Sequence, residues 1–182
     1  ASEIGGQFNL AKQIPGKEEF HETLRYFRHR IVETGVELRL DTRADGDALS
    51  GFDEVVIATG VTPRAVDFPG IDHPKVVGYL DVLQRRVVPG AKVAIIGAGG
   101  IGFDVGEFLV QEGPSPSLDP ARWMAEWGID PAFASAGGLA TPQPERPARQ
   151  AWLLQRSPSK PGATLGKLPE WQQCAERKSK GE

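Results

Sequence analysis

The chain has 182 residues, 40% hydrophobic and 25% charged, and its 21 basic and 24 acidic residues leave a formal net charge of −3. That is the size and composition of one ordinary globular domain or two small ones, without the basic surface that draws nucleic acid or an acidic membrane. The single Cys174 excludes a disulfide framework and any iron–sulfur or cysteine-rich zinc centre held by this chain alone, and it predicts a reducing, cytoplasmic setting.

The chain starts at Ala1-Ser2-Glu3, with no initiator Met and no signal-peptide pattern, and is expected to be a piece of something longer. Residues 1–16 are glycine-rich and weakly patterned. A helix is expected from about Lys17 to Glu33, because Phe20, Leu24, Phe27 and Ile31 fall on one stripe. Gly35 is placed to stop it. Val36, Leu38 and Leu40 alternate with Glu37 and Arg39, which predicts a half-buried strand. Val55-Val56-Ile57-Ala58 predicts a short, fully buried strand stopped by Thr59-Gly60. Val76 to Tyr79 suggests another short strand, after which Asp81 could cap a helix containing Val82, Leu83 and Arg86.

Pro89-Gly90 is a turn, and Lys92-Val93-Ala94-Ile95-Ile96 after it is another buried strand. It runs straight into Gly97-Ala98-Gly99-Gly100-Ile101-Gly102, beyond which Ile101, Val105, Phe108 and Leu109 are expected on one helical face. Residues 113–150 hold 7 of the 15 prolines and two of the four tryptophans, an unusual length for an irregular segment inside a compact domain. Trp123, Met124 and Trp127 suggest a short helix within it. Ala151-Trp152-Leu153-Leu154 reads as a strand ending in Gln155-Arg156, and the polar tail from Cys174 to Glu182 is expected to fray. No run approaches 18 apolar residues, so no membrane-spanning helix is predicted.

The strongest chemical signal is Gly97-x-Gly99-x-x-Gly102, because a strand precedes it and an amphipathic helix follows. Gly97 permits a tight turn, Gly99 lets backbone approach a diphosphate, and Gly102 lets helix and strand pack closely. The helix N-terminus adds N–H groups and partial positive charge. The bland alternative is a glycine-rich turn that binds nothing. An acidic residue about 20 positions on, the mark of NAD, is not recognisable. Arg156 instead ends the next strand, followed by Ser157 and Lys160. A basic group there suits a 2′-phosphate and favours NADP, the alternative being ordinary surface cations. Ala58-Thr59-Gly60 would bring backbone close to a bound group, or would simply end a strand. Gly5-Gly6-Gln7 is a weaker signal of the same kind. His21, His29 and His73 lack metal-ligand spacing, and neither a nucleophilic triad nor a general acid or base can be argued.

Three stretches together resemble bacterial NADPH-dependent 2,4-dienoyl-CoA reductases: Glu3 to Phe8, Ala58 to Arg64 and Ile95 to Asp104. The first two occur more loosely in trimethylamine dehydrogenase-like and disulfide-reductase-like flavoproteins. Glu126-Trp127-Gly128-Ile129-Asp130, Gly137-Gly138-Leu139, Leu154-Gln155-Arg156, Ser159 to Gly162 and Leu165-Gly166-Lys167 discriminate in favour of the reductase. After Lys167 the chain departs from the family pattern.

The resemblance implies an α/β fold of two Rossmann-like dinucleotide-binding domains of the two-domain flavoprotein type, both incomplete: 1–88 for FAD, and 89–182 for NADP with a proline-rich insert at 113–150. It implies that Gln7 and Lys12 lie on the flavin side and the Arg43-Ala44 backbone on the adenine side, with Ala58, Thr59 and Gly60 beside the FAD. Gly97, Gly99, Gly100 and Ile101 would hold the NADP diphosphate, and Arg156 and Ser157 its 2′-phosphate; Gly102 and Lys160 join these two cofactor-binding groups by the motif reading above. In the full enzyme hydride passes from NADPH to FAD, and electrons reach a dienoyl-CoA of unsaturated fatty acid β-oxidation through a 4Fe-4S cluster and FMN, both in a part outside this chain. This chain alone is therefore expected to bind FAD poorly and to lack dienoyl-CoA reductase activity. The alternatives are another NAD(P)H:flavin oxidoreductase of the disulfide-reductase superfamily, or a non-catalytic nucleotide-binding remnant.

Overall fold

A computed structural model describes residues 1–158. In chain order it contains α1 (Phe8–Ala11), α2 (Phe20–Glu33), α3 (Gly46–Leu49), α4 (Tyr79–Leu83), β1 (Lys92–Ile96), α5 (Gly100–Val110), α6 (Pro120–Trp127) and β2 (Gln150–Leu154). Short 3-10 turns at Pro116–Leu118 and Ala136–Gly138 lie on either side of α6. The described residues divide into two compact units, one of residues 1–12 and 18–76, the other of residues 13–17 and 77–158.

The first unit is built on α2. Leu24 of the expected stripe is buried, and Phe20 meets Phe8 of α1 edge-on with ring centroids 4.8 Å apart. Phe27 is exposed and Ile31 half-buried, so the stripe is covered unevenly. The helix stops as its sequence predicts. Gly35 adopts φ +69, its N–H donates to the Val32 carbonyl at 3.2 Å, and the Val36 N–H reaches back to Ile31 at 3.0 Å. These are the two bonds of a Schellman ending, which needs a left-handed residue at the position Gly35 fills.

Two expected strands of this unit do not form. Residues 36–40 and 54–66 contain no strand, and Val56 and Ile57 are 88% and 84% exposed rather than buried. A β-rich run becomes a strand only when another strand satisfies its N–H and C=O groups. Among the described residues the one sheet is the pair β1–β2, so the run at 55–58 has apolar character and no ladder. Val76 and Val77 are likewise outside any strand.

The second unit carries a βαβ arrangement. β1 and β2 pair in parallel, with Lys92 opposite Gln150 and Ile96 opposite Leu154. Parallel neighbours need a crossover, and α5 lies on it. Alternate residues Val93, Ile95, Ala151 and Leu153 are half-buried, while Ala94, Ile96, Trp152 and Leu154 on the other face are exposed. A Cβ built on Gly106 would lie 3.7 Å from Ile95 Cδ1, and one on Gly102 would lie 3.4 Å from Leu153 Cδ2, which places α5 over the half-buried face. The core is Ile14 and, from α4, Val82 and Leu83 with Phe103, Val105, Leu109 and Val110 from α5.

Two local expectations change here. Val105 and Leu109 are buried as expected and Phe108 is half-buried, but Ile101 is exposed and Phe103 buried, so the buried face of α5 is wider than expected, because both strands and α4 press on it. Asp81 lies inside α4 and pairs with Arg86 at 3.3 Å, while Gly78 takes the N-cap position.

The segment from 113 to 150 is knitted rather than loose. Asp119 caps α6 by accepting from the N–H groups of Ala121 and Arg122 at 3.1 and 3.2 Å, and Pro120 opens the helix, where its missing N–H costs nothing. Gly128 ends it at φ +68, where a Cβ would stand 2.5 Å from the Ala140 carbonyl oxygen. Residues 128–130 then pair with 138–140, through Ala140 N–H to Gly128 O and Asp130 N–H to Gly138 O, both 2.8 Å. Arg122 holds both carboxylate oxygens of Glu145 and donates to the Pro114 carbonyl at 2.9 Å. The helix expected around Trp123, Met124 and Trp127 is α6.

Candidate functional site

The parallel pair β1–β2 fixes the site, because both strands end on the same side. β1 leaves the sheet at Gly97, whose N–H donates to the Leu154 carbonyl at 2.8 Å, tying the loop to the end of β2. Gly97 has φ +121, a conformation open to glycine and costly for any side chain. Gly99 is extended at φ −94, ψ −174 and is the N-cap of α5, with no side chain capping the helix. The first helical bond runs from Phe103 N–H to Gly99 O at 3.1 Å, so the N–H groups of Gly100, Ile101 and Gly102 precede it. A Cβ on Gly97 or Gly99 would meet nothing within 4 Å, whereas one on Gly102 would stand 1.9 Å from the Gly97 carbonyl oxygen. The loop is therefore closed toward the sheet at Gly102 and open outward at Gly97 and Gly99. Backbone donors facing open space at the positive end of a helix fit a diphosphate.

Arg156 and Ser157 follow β2 by two and three residues, at the same carboxyl-terminal edge as the glycine loop. Both are exposed, and the Gln155 side chain donates to the Ser157 carbonyl at 2.9 Å. Lys160 lies outside the described residues.

In the first unit the Gln7 amide donates to the Val61 carbonyl at 3.3 Å, which brings Gln7 beside the exposed Ala58-Thr59-Gly60 run across 54 residues of chain. Lys12 donates to Asn9 Oδ1, and Asn9 to the Ile4 carbonyl, each at 2.9 Å. Gly5 is at φ +114, and a Cβ there would run 2.4 Å from Leu24 Cδ2. Ala44 is exposed just ahead of Asp45, which caps α3.

One participant has no sequence signal of its own. Lys17 Nζ lies 2.6 Å from Oδ1 of Asp104, a residue of α5 just beyond the glycine loop. The two are 87 positions apart. Residue types alone do not pair them.

Perturbed titrations occur elsewhere. Hydrogen bonding to Arg39 pulls the Glu37 carboxyl below its usual range and raises Arg39 in turn. Hydrogen bonding to Glu145 raises the Arg122 guanidinium. None of these groups belongs to the glycine loop. Among the described residues no group of three His, Cys, Asp or Glu side chains could hold a metal ion, and no helix is long and apolar enough to cross a membrane.

Residues 7–115 match the family model described as pyridine nucleotide-disulphide oxidoreductase. The chain is 32% identical over 117 residues to the bilirubin reductase of Mediterraneibacter gnavus, a match covering 63% of this chain and 18% of that protein. It is 34% identical over 112 residues to the cinnamate reductase of Clostridium sporogenes, covering 58% of this chain and 16% of that one. This chain thus spans less than a fifth of the length of these relatives. Its fold is similar to that of a 2-naphthoyl-CoA reductase solved with 2-naphthoyl-CoA, at a TM-score of 0.57 and 23% identity over 85% of this chain and 28% of that one.

Proposed function

The chain belongs to the pyridine nucleotide-disulphide oxidoreductase family, a Rossmann-type family that binds FAD and NAD(P)H, and from that premise we propose that it is the dinucleotide-handling part of an NADPH-dependent 2,4-dienoyl-CoA reductase. The observation that carries the nucleotide reading is the loop between β1 and α5, closed at Gly102 and open at Gly99. On this reading residues 1–88 serve FAD and residues 89–182 serve NADPH. The dienoyl-CoA acceptor rests on the resemblance of residues 126–130, 137–139 and 154–156. Reductases of bilirubin and cinnamate among the relatives support a second reading, another flavin-dependent reductase with the same nucleotide machinery.

When bound, NADPH supplies a hydride and FAD accepts it. The chain's own residues bind and orient. The N–H groups of Gly100, Ile101 and Gly102 donate to diphosphate oxygens, and the bare Cα of Gly99 lets those oxygens reach the backbone. Arg156, Ser157 and Lys160 hold the 2′-phosphate, with the guanidinium supplying charge-assisted hydrogen bonds. Gln7, Lys12, Ala44 and the Ala58-Thr59-Gly60 backbone hold the flavin nucleotide. Fixing two ring systems in line removes much of the entropic part of a transfer barrier.

The test is a titration with NADPH and NADH in parallel. Arg156→Ala is expected to weaken NADPH by about tenfold, the loss of one charge-assisted contact, while NADH stays within about twofold. Equal affinity of the unaltered chain for the two coenzymes would remove the NADP assignment, and binding of neither would remove the site.

A further inference from the structure

We propose that Lys17 is a positioning residue for the dinucleotide loop: it neutralises Asp104, so that the N-terminus of α5 keeps its full attraction for a diphosphate. This rests on the reading of that loop as a dinucleotide site.

Asp104 is the fifth residue of α5, which begins at Gly100. At 1.5 Å rise per residue it lies about 6 Å along the axis from Gly100, and helical side chains lean back toward the N-terminus. Its carboxylate therefore projects toward the turn whose N–H groups would receive the diphosphate. The partial charge at a helix N-terminus is about half an elementary charge, and a carboxylate carries a full one of opposite sign. Alone, Asp104 offsets much of the positive potential at that end. With a lysine ammonium against it, that offset is largely cancelled.

The ammonium is held in place. Lys17 Nζ lies 2.6 Å from Asp104 Oδ1, with the side chains 36% and 27% exposed, so the pair is only partly screened by water. Lys17 leaves a tight turn, Ile14-Pro15-Gly16-Lys17, closed by Lys17 N–H to Ile14 O at 3.0 Å. Proline second and a glycine at φ +83 third is the arrangement of a type II turn. Ile14, at 2% exposure, anchors it. Four adjacent residues thus present a cation to a carboxylate 87 positions away.

A charge role and a tethering role predict different results. The full chain is titrated with NADPH at low and at physiological salt. Lys17→Gln is expected to weaken binding about fivefold to twentyfold, a Coulombic effect of one unit charge that shrinks with added salt, and Lys17→Arg to retain wild-type affinity. Asp104→Asn is expected to tighten binding about threefold to tenfold, and the double variant to return within about twofold of the wild type. A double variant as weak as Lys17→Gln would make the pair a tether and overturn the proposal, as would an unchanged Lys17→Gln. If Lys17→Gln does not fold, Asp104→Asn decides, because a tether predicts weaker binding and a charge role tighter. Failure of the wild-type chain to bind NADPH or NADH would instead sink the underlying site reading, and all variants would then fail alike.

Discussion

A methyl group at position 102 would be built 1.9 Å from the Gly97 carbonyl oxygen, a backbone atom that cannot rotate away. Gly102→Ala therefore forces α5 off the strands. Alanine favours a helix interior by about 1 kcal/mol over glycine, while overpacking of this kind costs about 1–3 kcal/mol and displaces the loop as well. The clash wins, so both the melting temperature and NADPH affinity are expected to fall. At Gly99 a methyl meets nothing within 4 Å and φ is −94. Gly99→Ala should fold with its melting temperature nearly unchanged, yet weaken NADPH by about tenfold by standing where the diphosphate approaches. Thermal melts and titration of both variants separate the packing role from the binding role. Loss of stability in Gly99→Ala would mean that the open space is filled in solution.

The elements of the second unit are joined by a residue that no periodicity marks. Arg149, just before β2, donates from Nη1 to the Leu109 carbonyl at 3.1 Å and from Nε to the Pro89 carbonyl at 3.3 Å. It caps the C-terminal turn of α5, where positive charge is favoured, and ties it to the turn ahead of β1. Arg149→Met keeps most of the aliphatic stem and removes both bonds; hydrogen bonds from charged groups are each worth about 1.5–3 kcal/mol, discounted here by partial exposure. A loss of about 1–3 kcal/mol in denaturant unfolding is expected, and a change below 0.5 kcal/mol would remove the cap's role. This contrast shows what the sequence discloses. The strand, Gly97-x-Gly99-x-x-Gly102 and the following helix are contiguous, so their chemistry could be read in order. So could the stop at Gly35 and a short helix around Trp123, Met124 and Trp127. Arg149 to Leu109 and Lys17 to Asp104 join residues 40 and 87 positions apart, and such pairings follow from the folded arrangement alone. The runs at 36–40 and 55–58 carry strand composition, but composition supplies no partner for the ladder.

Among the described residues the buried apolar side chains are unevenly shared. Of those in the core, Leu24 belongs to the first unit, while Ile14, Val82, Leu83, Phe103, Val105, Leu109 and Val110 belong to the second. Cooperative stability should follow that distribution, since buried apolar area is the main favourable term in folding. Leu109, at 2% exposure, is fully buried in this core, and Leu109→Ala should cost about 2–5 kcal/mol through lost transfer energy and a residual cavity. Val56 sits in the most strand-like run of the first unit yet is 88% exposed. Val56→Asp should therefore change stability by no more than about 0.5 kcal/mol, as expected of a surface substitution. The apolar pattern around it argues the opposite, because a charge placed in a fully buried strand costs several kcal/mol. Urea unfolding of the two variants decides between pattern and structure. A Val56→Asp loss as large as that of Leu109→Ala would mean that residues 55–58 are buried in solution, and the first unit would then hold a core that its exposed valines do not show.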